Sequence, residues 1–220
     1  MTEFLAERWQ RLRRTLPASS RLLAVSKGHP AESIRVLAGF GQVAFGESRL
    51  QEALPKQEQL SDLALQWHFI GRLQSNKVRA VVKAFAVIHS VDSMPLAQRV
   101  SRIAEEEGCC PEVLLQVKLR DDPNKGGLSA DDLQRHWSGL LQLPALRISG
   151  LMTMAPQGLA PKERRQLFSE CRQLADQLGL VECSMGMSGD WQEAAASGST
   201  WLRLGSAVFG PRQMPPTGIG

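Results

Sequence analysis

The feature of this chain that most restricts its fold is a rhythm. Eight short apolar runs rich in Val, Ile, Leu and Phe recur at fairly even intervals, each followed by a longer stretch of helical period. The runs are Arg21 to Lys27 (RLLAVSK), Val43 to Ser48 (VAFGES), Gln66 to Gly71 (QWHFIG), Ala86 to Asp92 (AVIHSVD), Glu112 to Leu119 (EVLLQVKL), Leu146 to Thr153 (LRISGLMT), Val181 to Met187 (VECSMGM) and Trp201 to Gly210 (WLRLGSAVFG). The stretches between them have legible ends. Pro30 opens one, where its missing N–H costs nothing, and Ser75 stands as a candidate N-cap for a helix over 75–85. Asp131 and Asp132 follow Ser129 in a first turn, where the helix dipole favours acids. The longest, Pro161 through Leu178, carries Leu167, Cys171, Leu174 and Leu178 on one stripe and stops at Gly179.

Eight strands alternating with about eight helices, after one extra N-terminal helix, predict an α/β chain folded as a (β/α)8 barrel. At 220 residues the chain is short for that fold. A doubly wound open sheet is the alternative, but six strands would suffice for it and no G-x-G-x-x-G follows the first run. No internal repeat is visible. The expectation is a single domain over 1–220, with the barrel at about 20–210 and a frayed tail at 211–220.

Composition narrows the function classes. With 43% apolar and 22% charged residues the chain has enough core to fold without disulfides or a structural metal. A net charge of +4 is spread among acids rather than gathered into a run, which favours a small anionic ligand over nucleic acid. Cys109, Cys110, Cys171 and Cys183 form no C-x-x-C pair, which fits a reduced, cytoplasmic protein. The start, with Glu3 and Glu7 before Arg8, Arg11, Arg13 and Arg14, reads as an amphipathic helix and not a signal sequence. No apolar run approaches the ~18 residues that span a membrane. Tyrosine is absent altogether, which removes any mechanism needing a phenolic acid or base.

In such barrels the active site lies at the carboxyl ends of the strands. Lys27 ends the first run immediately before Gly28 and Pro30. A desolvated lysine there is an amine able to form a Schiff base, while on position alone an ordinary solvated lysine explains it better. The turns Ser184-Met-Gly-Met-Ser-Gly-Asp190 and Arg203-Leu-Gly-Ser-Ala-Val-Phe-Gly210 follow the seventh and eighth runs. Each alone is a glycine turn required by geometry; together, at the two strands where barrels usually bind phosphate, they point to a phosphate dianion. His68, beside Trp67, is either a satisfied core group or a ligand contact, with Gln74, Asn76 and Lys77 just past it. His89 and Asp92 are equally ambiguous, and Met152 to Pro156 reads as barrel packing.

Several of these segments together, Leu22-Leu-Ala-Val-Ser-Lys27, Phe45-Gly-Glu-Ser-Arg-Leu-Gln-Glu52, Trp67-His-Phe-Ile-Gly-Arg-Leu-Gln-Ser-Asn-Lys77, His89-Ser-Val-Asp92, Ser184-Met-Gly-Met-Ser188 and Arg203 to Gly210, resemble the pyridoxal phosphate homeostasis proteins over residues 20 to 212. The resemblance implies one barrel of the fold type III pyridoxal-phosphate class, similar to the N-terminal domain of bacterial alanine racemase. It implies pyridoxal 5'-phosphate as cofactor, held by Lys27 as a Schiff base, with Ser188, Gly189, Gly205 and Ser206 on the phosphate and Arg203 against the pyridine nitrogen. Gly46 to Ser48 would line the ring's edge, and His68 and Met152 would approach from the barrel mouth. Two departures stand out. Ser48 occupies the place of the family's usual Asn, and Gly28-His29 replaces the usual Thr-Lys, so the second lysine's part in cofactor exchange does not carry over. Lys125 matches a family lysine implicated in loading or release, and a solvated loop lysine explains it nearly as well.

Three functions compete at this point. One is a non-catalytic carrier that sets the free level of pyridoxal phosphate, and thereby amino-acid and keto-acid metabolism, with apo-enzymes as recipients. A second is a one-base, racemase-like amino-acid enzyme using Lys27. A third, a phosphosugar aldolase, fits the spacing alone and is demoted by the full motif set. A racemase of the two-base type needs a tyrosine, and an arginine at the ring nitrogen only donates, weakening the ring as an electron sink. The carrier is the expectation, as a monomer, since the racemase's second domain and dimer interface are not visible in the sequence.

Overall fold

All eight apolar runs become strands of one closed, parallel barrel in the computed structural model, which describes residues 2–122 and 125–211. The strands are β1 (Arg21–Val25), β2 (Ala44–Glu47), β3 (Gln66–Phe69), β4 (Val87–Val91), β5 (Glu112–Gln116), β6 (Arg147–Met152), β7 (Glu182–Ser184) and β8 (Trp201–Leu204). They neighbour one another in chain order, and β8 closes the ring on β1 with Leu23 opposite Arg203. Helix α1 (Thr2–Thr15) precedes the barrel; α2 (Ala31–Gly39), α3 (Leu50–Gln59), α4 (Val78–Ala84), α5 (Met94–Glu106), α6 (Ala130–Leu141), α7 (Pro161–Gln177) and α8 (Trp191–Ala196) return the chain between strands. Of the expected tail, all but Pro211 lies outside the described residues.

Local chemistry accounts for several element ends. The Asp132 N–H donates to Ser129 Oγ at 3.0 Å, starting α6 where the sequence puts an N-cap and two acids. Leu167, Phe168, Cys171 and Leu174 bury the inner stripe of α7. Two boundaries differ from expectation. Ser75 caps nothing: Ser75–Lys77 forms a 3-10 turn and α4 begins at Val78. The eighth run is not one strand either, because Gly205 turns the chain after Leu204 into a short helix α9, Ser206–Phe209.

The lumen holds two small apolar groups. Leu23, Ala44 and Trp201 pack with Ile70, and Val87, Leu114 and Met152 pack with Met154. Most of the remaining core lies between strands and helices, with Phe45, Ile88, Leu115, Leu151 and Leu202 fully buried there. The alternation of side chains along each strand produces this division. No helix among the described residues is long and apolar enough to cross a membrane.

Candidate functional site

Lys27 lies two residues past β1 and lines a cavity of about 130 Å3 with Gly28, Ser48, Arg49 and Glu52. Thus the ends of β1 and β2 bring Lys27 and Ser48 together. The fit depends on glycine: a Cβ on Gly71 would sit 2.0 Å from the Ser48 carbonyl oxygen, so only a bare backbone lets the loop after β3 close on the loop carrying Ser48. Gly28 follows Lys27 at φ +75°, a left-handed conformation that side chains resist, and His29 stacks on Phe209 with ring centroids 4.6 Å apart. The departure Gly28-His29 therefore makes a tight turn and ties the β1 loop to α9.

The loops after β7 and β8 meet directly. Ser188 Oγ accepts the Ala207 N–H at 3.2 Å, and the Met187 N–H donates to Asp190 Oδ1 at 2.6 Å, shaping the first loop. A Cβ on Gly205 would lie 3.4 Å from the Val25 carbonyl oxygen, so the β8 loop runs beside the end of β1. Gly189 and Ser206 are exposed at this rim, and nothing lies within 4 Å of where a Gly189 Cβ would project.

Arg203 fills the lumen below. Its Nη1 donates to the Ser184 carbonyl at 2.6 Å and to Ser184 Oγ at 2.7 Å, and its Nη2 donates to the Thr153 carbonyl at 2.9 Å. All three acceptors are neutral. Burial pulls the guanidinium down to about 10, so it is still a cation at neutral pH. From Ser184 the polar chain continues across the barrel: Ser184 Oγ is 2.8 Å from His89 Nδ1, and His89 Nε2 is 2.8 Å from His68 Nδ1. Burial, with a smaller contribution from Arg21, pushes His68 down to about 3. Burial, then His68 and Arg203, lower His89 well below its usual value. Both imidazoles are neutral at pH 7, and the bond between them uses one N–H. His68 Nε2 is buried without a partner, its ring edge-on to Trp201 at 4.8 Å.

Several expected placements change. His68 is wholly buried and committed to His89, so it does not stand at the mouth. Met152 is sealed among Val87, Leu114 and Met154. Within Gly46 to Ser48 only Ser48 lines the Lys27 cavity, because strand alternation turns Glu47 outward toward α3, where Lys56 meets its carboxylate at 2.7 Å. Gln74 and Asp92 face a separate groove of about 810 Å3 with Arg72, Arg99 and Arg102. Lys125 Nζ donates to the Ala155 carbonyl at 2.8 Å and pairs with Asp122 at 3.4 Å. Sequence reading passed over the Ser184 and Thr153 contacts of Arg203, whose partners lie 19 and 50 residues away along the chain.

A parallel barrel with a lysine after β1 and joined glycine loops after β7 and β8 defines a class, and the chain belongs to it: the alanine racemase N-terminal domain family, whose model matches residues 2–213. Within that class it belongs with the pyridoxal phosphate homeostasis proteins. The protein of that name from Synechocystis sp. is 48% identical over 90% of this chain and 94% of its own length, and the one from Pseudomonas aeruginosa is 43% identical over 89% and 86%. PipY of Synechococcus elongatus, solved with pyridoxal phosphate bound, superposes with a TM-score of 0.89 at 48% identity, covering 94% of this chain and all of that one. Alanine racemase of Clostridium difficile shares only the fold, with a TM-score of 0.80 at 14% identity over 97% of this chain and 57% of its own.

Proposed function

We propose that the chain binds pyridoxal 5'-phosphate and serves its intracellular homeostasis, holding and releasing the cofactor without strong catalysis of its own. The observation that carries this reading is Arg203, a buried cation whose every hydrogen-bond acceptor is neutral, set in one barrel with Lys27 and the joined loops. A desolvated cation is costly to hold; Asp190 offsets part of that cost, and an anionic ligand at the joined loops would offset more. The kinship with PipY and with the homeostasis proteins supports the same ligand.

The residues present fit such a group. Lys27 would supply the amine that holds the aldehyde covalently, with water as the only product released and no change of oxidation state. Ser188 and Ser206 would offer hydroxyls to the phosphate, and Gly189 and Gly205 backbone without a crowding side chain. Arg203 would donate to the pyridine nitrogen. Ser48 lines the Lys27 cavity beside the ring's expected edge, while His68 and Met152 act from beneath as lumen packing. When bound, pyridoxal phosphate supplies an electron sink, and a donor-only arginine at its nitrogen keeps that sink weak. We read the protein as a cytoplasmic monomer whose recipients are apo-enzymes that need the cofactor.

The test is a visible spectrum. The wild type incubated with pyridoxal phosphate should turn yellow, and Lys27→Ala should not; a wild type that stays colourless overturns the reading. Mixing the yellow protein with an apo-enzyme should move the colour to that enzyme. Rapid racemisation of alanine or serine by the isolated protein would establish an enzyme instead.

A further inference from the structure

We propose that helix α3 is the clamp that presents Lys27, with Glu52 and Lys56 as positioning residues that hold the two peptide groups on either side of it. The proposal rests on the reading of Lys27 as the covalent anchor. Lys56 Nζ donates to the carbonyl of Ser26, the residue before Lys27, at 2.9 Å. The N–H of Gly28, the residue after it, donates to Glu52 Oε2 at 3.0 Å. Glu52 and Lys56 are four residues apart on α3 and so share one face of the helix.

Each gripping group is itself held. Glu47 Oε1 accepts from Lys56 Nζ at 2.7 Å and from Ser26 Oγ at 2.7 Å, so the end of β2, the end of β1 and α3 meet at one carboxylate. Arg49 Nη1 donates to Glu52 Oε1 at 2.8 Å, leaving Oε2 to face Gly28. The Glu47 carboxylate is fully buried and its Oε2 has no partner. Burial pushes its carboxyl up against the opposing effect of Lys56. A buried ion pair with one orphaned oxygen is a poor device for stability, since well-packed apolar side chains would serve better. Its value is conformational.

What the clamp restrains follows from the backbone. Fixing the Ser26 carbonyl and the Gly28 N–H fixes both peptide planes that meet at Lys27, and with them the direction of its Cα–Cβ bond. Gly28 sits at φ +75° inside the turn that the His29 N–H closes on the Ser26 carbonyl at 3.0 Å, and Glu52 adds the grip on the Gly28 N–H itself, narrowing the range that a glycine beside a reacting amine would otherwise allow that amine. Displacements of about 1 Å in a reacting group cost up to roughly a hundredfold in rate. Glu52 also lines the cavity that Lys27 enters, so the clamp and the site share a wall.

The experiment uses the full chain and three variants. Glu52→Ala removes the Gly28 acceptor, whereas Glu52→Gln keeps an oxygen able to accept it. The double variant Glu47→Gln with Lys56→Met preserves charge balance in the buried node but removes the Lys56 grip on the Ser26 carbonyl, leaving it only the His29 N–H at 3.0 Å. The rate at which the visible band forms on mixing with pyridoxal phosphate is followed by stopped flow. Exchange of the Gly28 amide hydrogen in the free protein is followed by NMR, with the melting temperature as the control for folding. Glu52→Ala and the double variant should each slow band formation about tenfold, and Glu52→Gln should recover most of the rate. Gly28 exchange should quicken in Glu52→Ala alone of the Glu52 pair. A yellow wild type whose Glu52→Ala and double variants react within twofold of its rate overturns the clamp and leaves Lys27 as the anchor. Glu52→Gln as slow as Glu52→Ala also overturns it, since charge and not grip would then be at work. A colourless wild type overturns the Lys27 reading and the clamp's purpose together.

Discussion

The neutral histidine pair in the lumen makes stability depend on pH in a calculable way. His68 is held at about 3 and His89 well below its usual value, while the unfolded chain protonates both near 6.5. The sign follows from proton counting. Below 6.5 the unfolded state binds protons that the folded state refuses, so stability is present above that pH and is lost as pH falls. Between pH 7.5 and pH 5 His68 contributes a loss of about 2 kcal/mol, and His89 adds to it in the same direction. The His68 loss alone is a sizeable share of the ~5–15 kcal/mol available to a domain, and at ~2–4 °C per kcal/mol it lowers the melting temperature by roughly 4–8 °C. Urea denaturation of the wild type and of His68→Gln/His89→Gln at both pH values isolates the contribution, because every other titrating group is common to the two proteins. His68→Gln should lose about 2 kcal/mol less than the wild type over this range, and the double variant should be spared more than the single one. Equal losses to within ~1 kcal/mol would mean that the pair accepts protons in the folded state and is not held neutral by burial.

Gly71→Ala would place a Cβ 2.0 Å from the Ser48 carbonyl oxygen, so backbone must move; a loss of about 2–4 kcal/mol on denaturation is expected, with weaker cofactor binding because Ser48 moves too. Arg203→Met removes three hydrogen bonds to neutral acceptors and one desolvated charge, effects of opposite sign. Its stability should change by less than about 2 kcal/mol while cofactor affinity falls at least ~tenfold, as measured by denaturation and by spectroscopic titration; unchanged affinity would remove Arg203 from the site. Ser188→Ala deprives the Ala207 N–H of its acceptor, costing about 1 kcal/mol. If Ser188 faces the phosphate, binding of pyridoxal phosphate should weaken while binding of unphosphorylated pyridoxal does not, and equal weakening of both would argue against that contact.

The barrel was legible because its cause is periodic. Short apolar runs alternating with amphipathic stretches leave few ways to bury both faces of a sheet, and all eight runs became strands in chain order. Where a run mixes strand and turn, the boundary was lost: β8 ends at Leu204, six residues before the apolar run does, because backbone conformation at Gly205 and not hydropathy decides that turn. Lys27 and Ser48 were legible as strand ends, and the structure joins them in one cavity. What sequence does not carry is partnership between strands. His68 and His89 each read as ambiguous alone; the pairing of β3 with β4 brings them to 2.8 Å, and the closed barrel carries the polar chain across to Ser184 and Arg203. Glu47 was misplaced at the ring's edge for a simpler reason: side chains alternate along β2, and its neighbours Gly46 and Ser48 take the inner side.

The groups lining the Lys27 cavity favour the proposed holding of the cofactor over catalysis upon it. Carbanion chemistry needs a base with a pKa near the working pH on each face from which a proton leaves or arrives. Among the groups lining the Lys27 cavity, Arg49 only donates, and its bond to Glu52 holds that carboxyl below the usual range, which makes Glu52 a weak base. His68, at about 3, is a weak base too, and its Nδ1 is occupied by His89. The chain has no tyrosine to offer in their place. Lys27 is then left as the base within its own cavity, and it is also the residue that forms the covalent bond. A lysine so placed can take up and surrender an aldehyde reversibly, which is the chemistry that storage and delivery require.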